Sequence, residues 1–245
     1  HHRFSNGLRL NVSANVSDAL TIVTKHPRKT TSVIDGSNYE GKVYGEIWGF
    51  TTDRLFQESD FDENGNLLPG IATQTYFENS GYKYKYGPGD VKYMDLDGNG
   101  EINWGDKTVE NHGDWSRIGN ATPRYEYNFK IGVDWKGIDL NIFFQGVGSR
   151  QYWATGSMMI PGWNFSEGTY YAHQTDYWTP ENTNAWYPRL AETNQPGQYS
   201  ASGFNFLCQT RYLLDMSYLR LKNITLGYSL PDKVLKKMHF DKFRI

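Results

Sequence analysis

The sequence predicts an all-β protein made of antiparallel transmembrane β-barrel strands that are joined by long loops. Three observations favour this fold class: aromatic residues make up 16% of the chain, several segments alternate between apolar and polar side chains, and short connections alternate with long ones. No segment approaches the ~18 consecutive apolar residues that a membrane-spanning helix requires. A barrel strand is shorter and meets lipid with every second residue, so a mean hydropathy of −0.68 is compatible with a membrane.

The segment 125–135 gives the clearest strand signal, because its apolar and polar positions alternate throughout. The apolar positions are Tyr125, Tyr127, Phe129, Ile131, Val133 and Trp135, and the positions between them are Glu126, Asn128, Lys130, Gly132 and Asp134. Successive side chains of a strand point to opposite faces, so one face is apolar and the other polar. Aromatic residues at both ends of the apolar face are typical of a lipid-facing strand. A strand of a soluble β-sandwich with one wet face fits this segment equally well.

Two neighbouring segments extend the pattern. After Lys136-Gly137, where glycine favours a tight hairpin turn, the chain alternates back through 138–146. The segment 8–17 alternates in the same way near the start of the chain. We therefore predict at least three antiparallel strands with one shared apolar face.

The last strand is predicted at 218–229. Its apolar phase shifts between Leu221 and Ile224, which indicates either a β-bulge or the point where the strand leaves the membrane. A short helical turn is predicted at 234–238, and the start of another strand at 240–245.

The lengths of the connections separate the barrel from the soluble sandwich. The turn at Lys136-Gly137 is very short, whereas 53–124 and 147–211 are long. A compact soluble domain rarely carries loops of that length. Outer-membrane barrels combine short periplasmic turns with long extracellular loops, and a strand near 43–50 would rise into the first loop. We therefore predict barrel strands with two long extracellular loops, at 53–124 and 147–211.

Four motifs add information that alternation alone does not contain. The longest is Tyr218-Leu219-Arg220-Leu221-Lys222-Asn223-Ile224-Thr225-Leu226-Gly227-Tyr228-Ser229-Leu230-Pro231. The other three are Gly45-Glu46-Ile47-Trp48-Gly49-Phe50, Gly119-Asn120-Ala121-Thr122-Pro123 and Tyr177-Trp178-Thr179-Pro180-Glu181-Asn182. In this order, over 45–231, they resemble the motifs of the SusC/RagA family, the TonB-dependent importers of Bacteroidetes.

The resemblance implies a barrel of 22 strands that is filled by an amino-terminal plug and covered by a SusD-like lipoprotein. It also implies uptake of oligosaccharides or peptides across the bacterial outer membrane, driven through TonB and without chemistry on the cargo. The chain departs from the whole family pattern because it lacks the plug, the TonB-contacting segment and a closing strand. We therefore interpret residues 1–245 as the carboxy-terminal part of the barrel. The formal charge of −2 argues against a nucleic-acid partner.

One segment carries the spacing of a calcium-binding loop. Its candidate ligands are Asp95, Asp97, Asn99, Glu101, Asn103 and Asp106. Calcium prefers roughly six to eight oxygen ligands, and Gly100 stands where such loops turn sharply. Glu101 would offer its carbonyl, Asn103 would act through water, and Asp106 stands where an EF-hand has glutamate. We predict a structural Ca²⁺ site in the extracellular loop, the alternative being an Asx- and glycine-rich turn that only resembles one.

The segment 150–199 is dense in aromatic residues. They are Tyr152, Trp153, Trp163, Phe165, Tyr170, Tyr171, Tyr177, Trp178, Trp186 and Tyr187. Sugar rings pack their apolar C–H faces on aromatic rings, so substrate contact is one interpretation. The alternatives are a loop core and a face packed against the lid lipoprotein, where tyrosine and tryptophan are also enriched. Arg150 and Trp153, just beyond the top of a strand, are the predicted substrate-binding residues.

No motif in the sequence indicates an enzyme. Cys208 is the single cysteine, which excludes an internal disulfide, and we interpret it as a buried or pocket residue. No spacing marks a catalytic carboxylate pair. Tyrosines and lysines alternate over 82–86, which favours a loop strand or a lid contact over a nucleic-acid surface. Two alternatives remain open: a soluble secreted carbohydrate-binding β-sandwich with structural calcium, and a fragment of a secreted glycoside hydrolase.

Overall fold

The computed structural model shows an antiparallel β structure that divides into two compact units. It describes residues 2–27, 32–33, 36–74, 86–159, 161, 170–190 and 204–245. The first unit consists of His1–Leu20, Thr122–Gln151 and Asp215–Ile245. The second consists of Thr21–Ala121 and Tyr152–Leu214, which we call the first and second inserted segments. Within the described ranges, no helix has the length and apolar character needed to cross a membrane.

Eleven strands and one α-helix make up the regular structure of the described residues. The strands are β1 (His2–Arg3), β2 (Arg9–Ser17), β3 (Glu46–Phe50), β4 (Thr52–Leu55), β5 (Val91–Tyr93), β6 (Trp115–Asn120), β7 (Arg124–Trp135), β8 (Ile138–Ser149), β9 (Gln151–Trp153), β10 (Leu213–Asp215) and β11 (Tyr218–Tyr228). Helix α1 spans Asp232–Lys237. Short 3₁₀ turns lie at Glu58–Asp60, Ala172–Gln174 and Phe204–Phe206.

The first unit is built on one five-stranded antiparallel sheet. Its strand order is β1-β2-β7-β8-β11. The register aligns Val12 of β2, Ile131 of β7 and Ile142 of β8, and Ile224 of β11 continues the row. The apolar side chains of four strands therefore share one face, as the alternation predicted.

The apolar face of this sheet is exposed rather than enclosed. Val16 and Leu226 are 72% and 70% exposed, and none of Phe129, Ile131 and Val133 is buried. A soluble sandwich would seal this face between two sheets, so that alternative does not describe the first unit. The prediction of an all-β fold, in which the strands carry apolar side chains on one exposed face, is confirmed.

A β-bulge explains the shifted phase of β11. Leu221 pairs with Phe144 and Asn223 pairs with Phe143, so Lys222 is an extra residue with no pairing partner on β8. The extra residue keeps Leu221 and Ile224 on the same face, although they are three positions apart. Of the two interpretations of the phase shift, the bulge is confirmed.

The two ends of the sheet differ in the length of the connections between strands. Strands β7 and β8 are joined at Lys136 and Gly137, whose φ angles of 49° and 89° fit a two-residue hairpin turn. At the other end, the inserted segments connect β2 to β7 and β8 to β11. At the free edge of β11, residues 243–245 begin to pair with 228–230, which confirms the predicted start of a further strand.

The segment predicted as a barrel strand near 43–50 has a different position. It forms strand β3, but β3 pairs with β6 inside the second unit rather than with the five-stranded sheet. Phe50 is completely buried, and a Cβ on Gly49 would lie 2.4 Å from Ile118 Cδ1, so both faces of β3 are packed. The first inserted segment therefore begins at Thr21 rather than at residue 53.

Aromatic side chains form the core of the second unit. The Phe50 ring lies 4.9 Å from both the Tyr93 and the Trp115 ring centroids, and 5.4 Å from that of Trp104. The backbone of Phe50 also bonds to the second inserted segment, because its N–H donates to the Cys208 carbonyl at 2.8 Å. The two inserted segments thus share one core.

A buried ion pair joins three distant parts of the second unit. Asp90 is 1% exposed, and it accepts two hydrogen bonds from the Arg189 guanidinium, at 3.0 and 2.7 Å. It also accepts from Asn205 Nδ2 at 2.9 Å and from the Gly87 N–H at 2.9 Å. Asp90 therefore fixes residues of both inserted segments to each other.

Candidate functional site

The loop between β5 and β6 brings three carboxylates together. Asp95, Asp97 and Asp114 each place a carboxylate oxygen within 4.8 Å of the other two. Asp95 and Asp97 are two of the predicted calcium ligands. Asp114 lies just before β6, beyond the twelve-residue span of the motif, so its contribution was missed from the sequence.

Asp114 is the buried member of this carboxylate group. It is not exposed at all, and its two oxygens accept the N–H groups of Leu96 at 2.6 Å and Asn103 at 2.9 Å. Burial raises the pKa of Asp114 above its usual value, and the negative charges of Asp97 and Asp95 raise it further, against the opposing effect of the two N–H donors. A divalent cation would relieve this electrostatic cost, because it neutralises the charges that raise the pKa.

The turn that carries Asp95 and Asp97 is fixed by local hydrogen bonds. Asp95 accepts the N–H groups of Gly98 at 2.7 Å and Gly100 at 2.8 Å. Asn99 Oδ1 accepts the Glu101 N–H at 2.7 Å. Gly100 has a φ of 84°, which confirms the sharp turn expected there.

The last two predicted ligands have other partners. Asn103 Oδ1 accepts the Gly105 N–H at 2.6 Å, and Asn103 Nδ2 donates to the Glu101 carbonyl at 3.1 Å. Asp106 Oδ2 accepts from Asn111 Nδ2 at 2.8 Å and closes a separate turn. The structure therefore brings Asp95 and Asp97 together with Asp114, and it does not bring Asp106 into that group.

The donor set of this loop fits a hard divalent cation. Three carboxylates converge, and the amide oxygen of Asn99 and the carbonyl of Glu101 lie in the same turn. Calcium coordinates oxygen ligands of these kinds and completes its shell with water.

The predicted substrate-binding residues lie in different units. Arg150 follows β8 in the first unit, and its carbonyl accepts the Met216 N–H at 2.7 Å. Trp153 ends β9 in the second unit, where its ring is partly buried against the aromatic core. Substrate contact by Arg150 and Trp153 stays a prediction.

The structure sorts the other aromatic residues of the second inserted segment by exposure. Trp178 and Tyr187 are core residues, at 8% and 6% exposure. The rings of Tyr152, Tyr170, Tyr171 and Trp186 are exposed. Trp163 and Phe165 lie outside the described residues, as do the tyrosines at 82 and 84. Among the described residues, these four exposed rings therefore remain the candidates for substrate contact.

Among the described residues of this segment, Trp186 is the largest exposed ring, and it is firmly positioned. Its side chain is 49% exposed. Asp176 accepts the Trp186 N–H at 3.1 Å, and Arg211 Nε donates to the Trp186 carbonyl at 2.9 Å. The Arg211 guanidinium also lies 5.2 Å from the indole centroid. An aromatic ring held in this way can accept a flat apolar surface without losing conformational freedom.

The single thiol is poorly suited to nucleophilic chemistry. Cys208 is partly buried against the aromatic core, and burial raises its pKa to about 12. The thiolate is the reactive form of cysteine, so the side chain remains an unreactive thiol at neutral pH.

Comparisons with known proteins agree with the β-barrel interpretation. No protein-family model matches the chain. TonB-dependent receptor P3 of Formosa agariphila is 30% identical over 207 residues, which is 84% of this chain and 17% of that protein. TonB-dependent receptor P26 of the same organism is 28% identical over 204 residues, or 81% and 18%. The chain thus spans less than a fifth of the length of these relatives.

A solved structure shows the same fold. It is described as the RagAB peptide importer in the 'open-open' state, and it matches 96% of this chain and 21% of its own chain. The TM-score is 0.55 at 17% sequence identity, so the likeness shows the fold alone. Taken together, the receptor relatives, the sheet with one apolar face and this fold likeness support one assignment. The chain belongs to the SusC/RagA-like TonB-dependent receptors and corresponds to a portion of their β-barrel.

Proposed function

We propose that the protein containing this chain is an outer-membrane importer that is driven through TonB. The observation that carries the proposal is the five-stranded sheet, which has an exposed apolar face and a polar face on opposite sides of the same strands. In a barrel, the apolar face meets lipid and the polar face lines the interior. TonB is contacted through residues outside this chain, and no covalent chemistry on the cargo is required.

The proposed cargo is an oligosaccharide, and a SusD-like lipoprotein is the proposed lid. The exposed Trp186 ring supports the choice of cargo, because an indole offers a flat apolar surface to a sugar ring. Arg150 and Trp153 remain proposed contacts. A peptide is the alternative cargo, and the solved neighbour is described as a peptide importer.

Uptake by living cells tests this function. A strain that lacks the gene is complemented with the full-length receptor, and the disappearance of labelled oligosaccharides or peptides from the medium is measured. We expect uptake that is lost when TonB is removed. Trp186→Ala should slow uptake, whereas Met158→Ala, at a residue that is 63% exposed, should not. Uptake that continues unchanged without TonB would contradict the proposal.

We also propose that the loop around Asp95, Asp97 and Asp114 binds Ca²⁺. The ion would hold the loop by joining the turn at Asp95 to the residue that precedes β6. Extracellular sites of this type bind with a Kd of about 10⁻⁴ to 10⁻³ M. The proposed role is structural, because an ordered loop loses conformational entropy that ion binding offsets.

Calorimetry on the full-length receptor measures this binding directly. Asp114→Asn and Asp97→Asn should each weaken calcium binding, because each removes a converging carboxylate. Asp106→Asn is the matched control and should leave binding unchanged, since Asp106 bonds to Asn111 instead. Absence of calcium uptake by the wild-type receptor, or equal effects of all three variants, would contradict the site.

A further inference from the structure

A cavity of about 460 Å³ lies on the polar face of the five-stranded sheet. We call it the Lys130–Phe143 pocket, and its lining residues are Lys130, Asn141, Phe143, Asn223 and Thr225. The strand register brings them together, because Phe143 lies opposite both Lys130 and Asn223. Its volume is within the range of about 300–1,000 Å³ that ligand pockets occupy.

Phe143 is an exception on this face. Its neighbours on the same side of β8 are Asn141 and Gln145, and those on β7 and β11 are also polar or charged. The adjacent Phe144 has an obvious structural role, since its ring stacks on Phe129 at 4.6 Å on the opposite, apolar face. Phe143 makes no such ring contact within the described residues, so its apolar surface is available to something outside the sheet.

Lys130 gives the pocket a positive charge. It is exposed, and within the described residues its ammonium group has neither an ion pair nor a hydrogen bond. The nearest carboxylates on its own strand and face are Glu126 and Asp134, each four residues away, or about 13 Å along the strand. Asp139, on the neighbouring strand, is already paired with Arg244 at 2.6 Å. An anionic group in the pocket would therefore meet an unpaired cation.

Hydrogen-bonding groups surround the ring. The Asn141 side chain lies close to Gly132, because a Cβ built on Gly132 would be 3.0 Å from Asn141 Oδ1. Asn223 Nδ2 donates to Thr225 Oγ1 at 3.1 Å. Within the part of the chain that the structure describes, the Asn223 side-chain oxygen and the Thr225 hydroxyl proton have no hydrogen-bond partner. An apolar ring, a cation and several amide groups together suit a ligand with a C–H face, an acidic group and hydroxyls.

We propose that the Lys130–Phe143 pocket is a binding subsite for an acidic sugar residue on the inner wall of the barrel. The C–H face of the sugar packs on Phe143, its carboxylate or sulfate pairs with Lys130, and its hydroxyls bond to Asn141 and Asn223. The occupant is chosen by charge complementarity, and the inference rests on the proposed import function.

The test uses the full-length receptor, purified in detergent, with defined trisaccharides as probes. Trigalacturonate supplies carboxylates, a sulfated galactan trisaccharide supplies sulfates, and maltotriose is the neutral comparison. We expect the wild-type receptor to bind an acidic probe better than maltotriose, with an affinity that falls as salt is added. The carboxylated and sulfated probes distinguish the two sources of negative charge.

Variants locate the binding. Lys130→Gln should weaken binding of the acidic probe about tenfold and remove its salt dependence, whereas Lys130→Arg should largely retain both. Phe143→Leu should also weaken binding about tenfold, because it removes the flat ring. Phe144→Leu, one residue away on the opposite face, is the matched control and should not change the affinity. Heat-dependent migration in detergent gels confirms that each variant barrel is folded.

Several outcomes would contradict the proposal that this pocket binds an acidic sugar. Equal affinity for maltotriose, an unchanged affinity in both Lys130→Gln and Phe143→Leu, or tighter binding of a triglutamate peptide would each do so. An absence of binding because a part of the receptor outside this chain fills the cavity would also exclude it. Normal uptake by cells that carry these variants would contradict the pocket proposal alone. If cells with the wild-type receptor show no TonB-dependent uptake, the proposed import function itself is contradicted.

Discussion

Replacement of Asp90 by asparagine tests whether a single buried ion pair holds the two inserted segments together. The side chain of Asp90 accepts four hydrogen bonds, two of them from Arg189. The introduced asparagine would keep the shape of the side chain, but it would lose the charge and one of the two acceptor oxygens. One of two donor pairs, either Arg189 Nε with Asn205 Nδ2 or Arg189 Nη2 with the Gly87 N–H, would therefore face an amide N–H₂ instead of an oxygen.

The size of the effect follows from the burial of the two partners. Removing one member of a fully buried ion pair costs about 3–5 kcal/mol. The Arg189 side chain is 29% exposed and can recover some hydration, whereas Asp90 is 1% exposed. We therefore expect the free energy of local opening to fall by about 2–3 kcal/mol, which corresponds to roughly 30- to 140-fold at 1.4 kcal/mol per factor of ten.

Hydrogen exchange of the intact receptor in detergent measures this opening. The reporter amides are those of Val91, which donates to Asn205 Oδ1 at 2.8 Å, and Arg189, which donates to the Gly89 carbonyl at 2.8 Å. Both should exchange about 30- to 140-fold faster in Asp90→Asn, because they open with the segments that Asp90 joins. Amides of the five-stranded sheet should exchange at unchanged rates.

A second ion pair in the same unit serves as the control. Asp53 pairs with Lys92 at 2.9 Å, but its side chain is 40% exposed. Asp53→Asn should change the same exchange rates by less than about fivefold, because exposed pairs contribute at most about 1 kcal/mol. If both variants have equally small effects on Val91 and Arg189, the ion pair at Asp90 does not join the two inserted segments.

Two further predictions concern packing in the sheet and acid stability. A Cβ on Gly146 would lie 2.3 Å from Tyr127 Cζ, whereas a Cβ on Gly148 would come no closer than 3.1 Å to any atom. Gly146→Ala should therefore lower the folded fraction in a gel-shift assay of barrel assembly more than Gly148→Ala does. Equal effects of the two substitutions would contradict this. The hydrogen bonds from Arg54 lower the pKa of Asp60, so the stabilisation is present above the usual carboxyl pKa and is lost as pH falls through the lowered folded-state value. Pepsin cleavage near residues 55–56, corrected for the protease's own pH dependence, should therefore increase with acid more steeply in the wild type than in Asp60→Asn; equal slopes would contradict this.

The strands of the first unit could be predicted from sequence because their environment repeats every second residue. Strand β7 alternates over its whole length, and its neighbours carry the same alternation in register. The phase shift in β11 was also visible, although its cause needed the pairing of Leu221 and Asn223. Exposure to lipid on one side produces a local pattern, so no knowledge of distant residues is needed.

The second unit was less predictable because its interactions join residues that are distant in sequence. Strand β3 was expected in the barrel, and only its pairing with β6 places it elsewhere. Asp114 joins Asp95 and Asp97 from outside the motif, so ligand spacing could not identify it. The burial of Trp178 and the exposure of Trp186 likewise depend on contacts made across the unit rather than on local composition.

The extra residue in β11 gives the two halves of the strand opposite numerical parity. Before the bulge the apolar positions are odd-numbered, as at Leu219 and Leu221, and after it they are even-numbered, as at Ile224 and Leu226. Loss of Lys222 alone would remove the bulge and restore continuous alternation, so the apolar side chains on both sides of it would still share one face. Loss of one residue from a regularly paired part of the strand has the opposite consequence, because it would turn the side chains beyond that point to the other face.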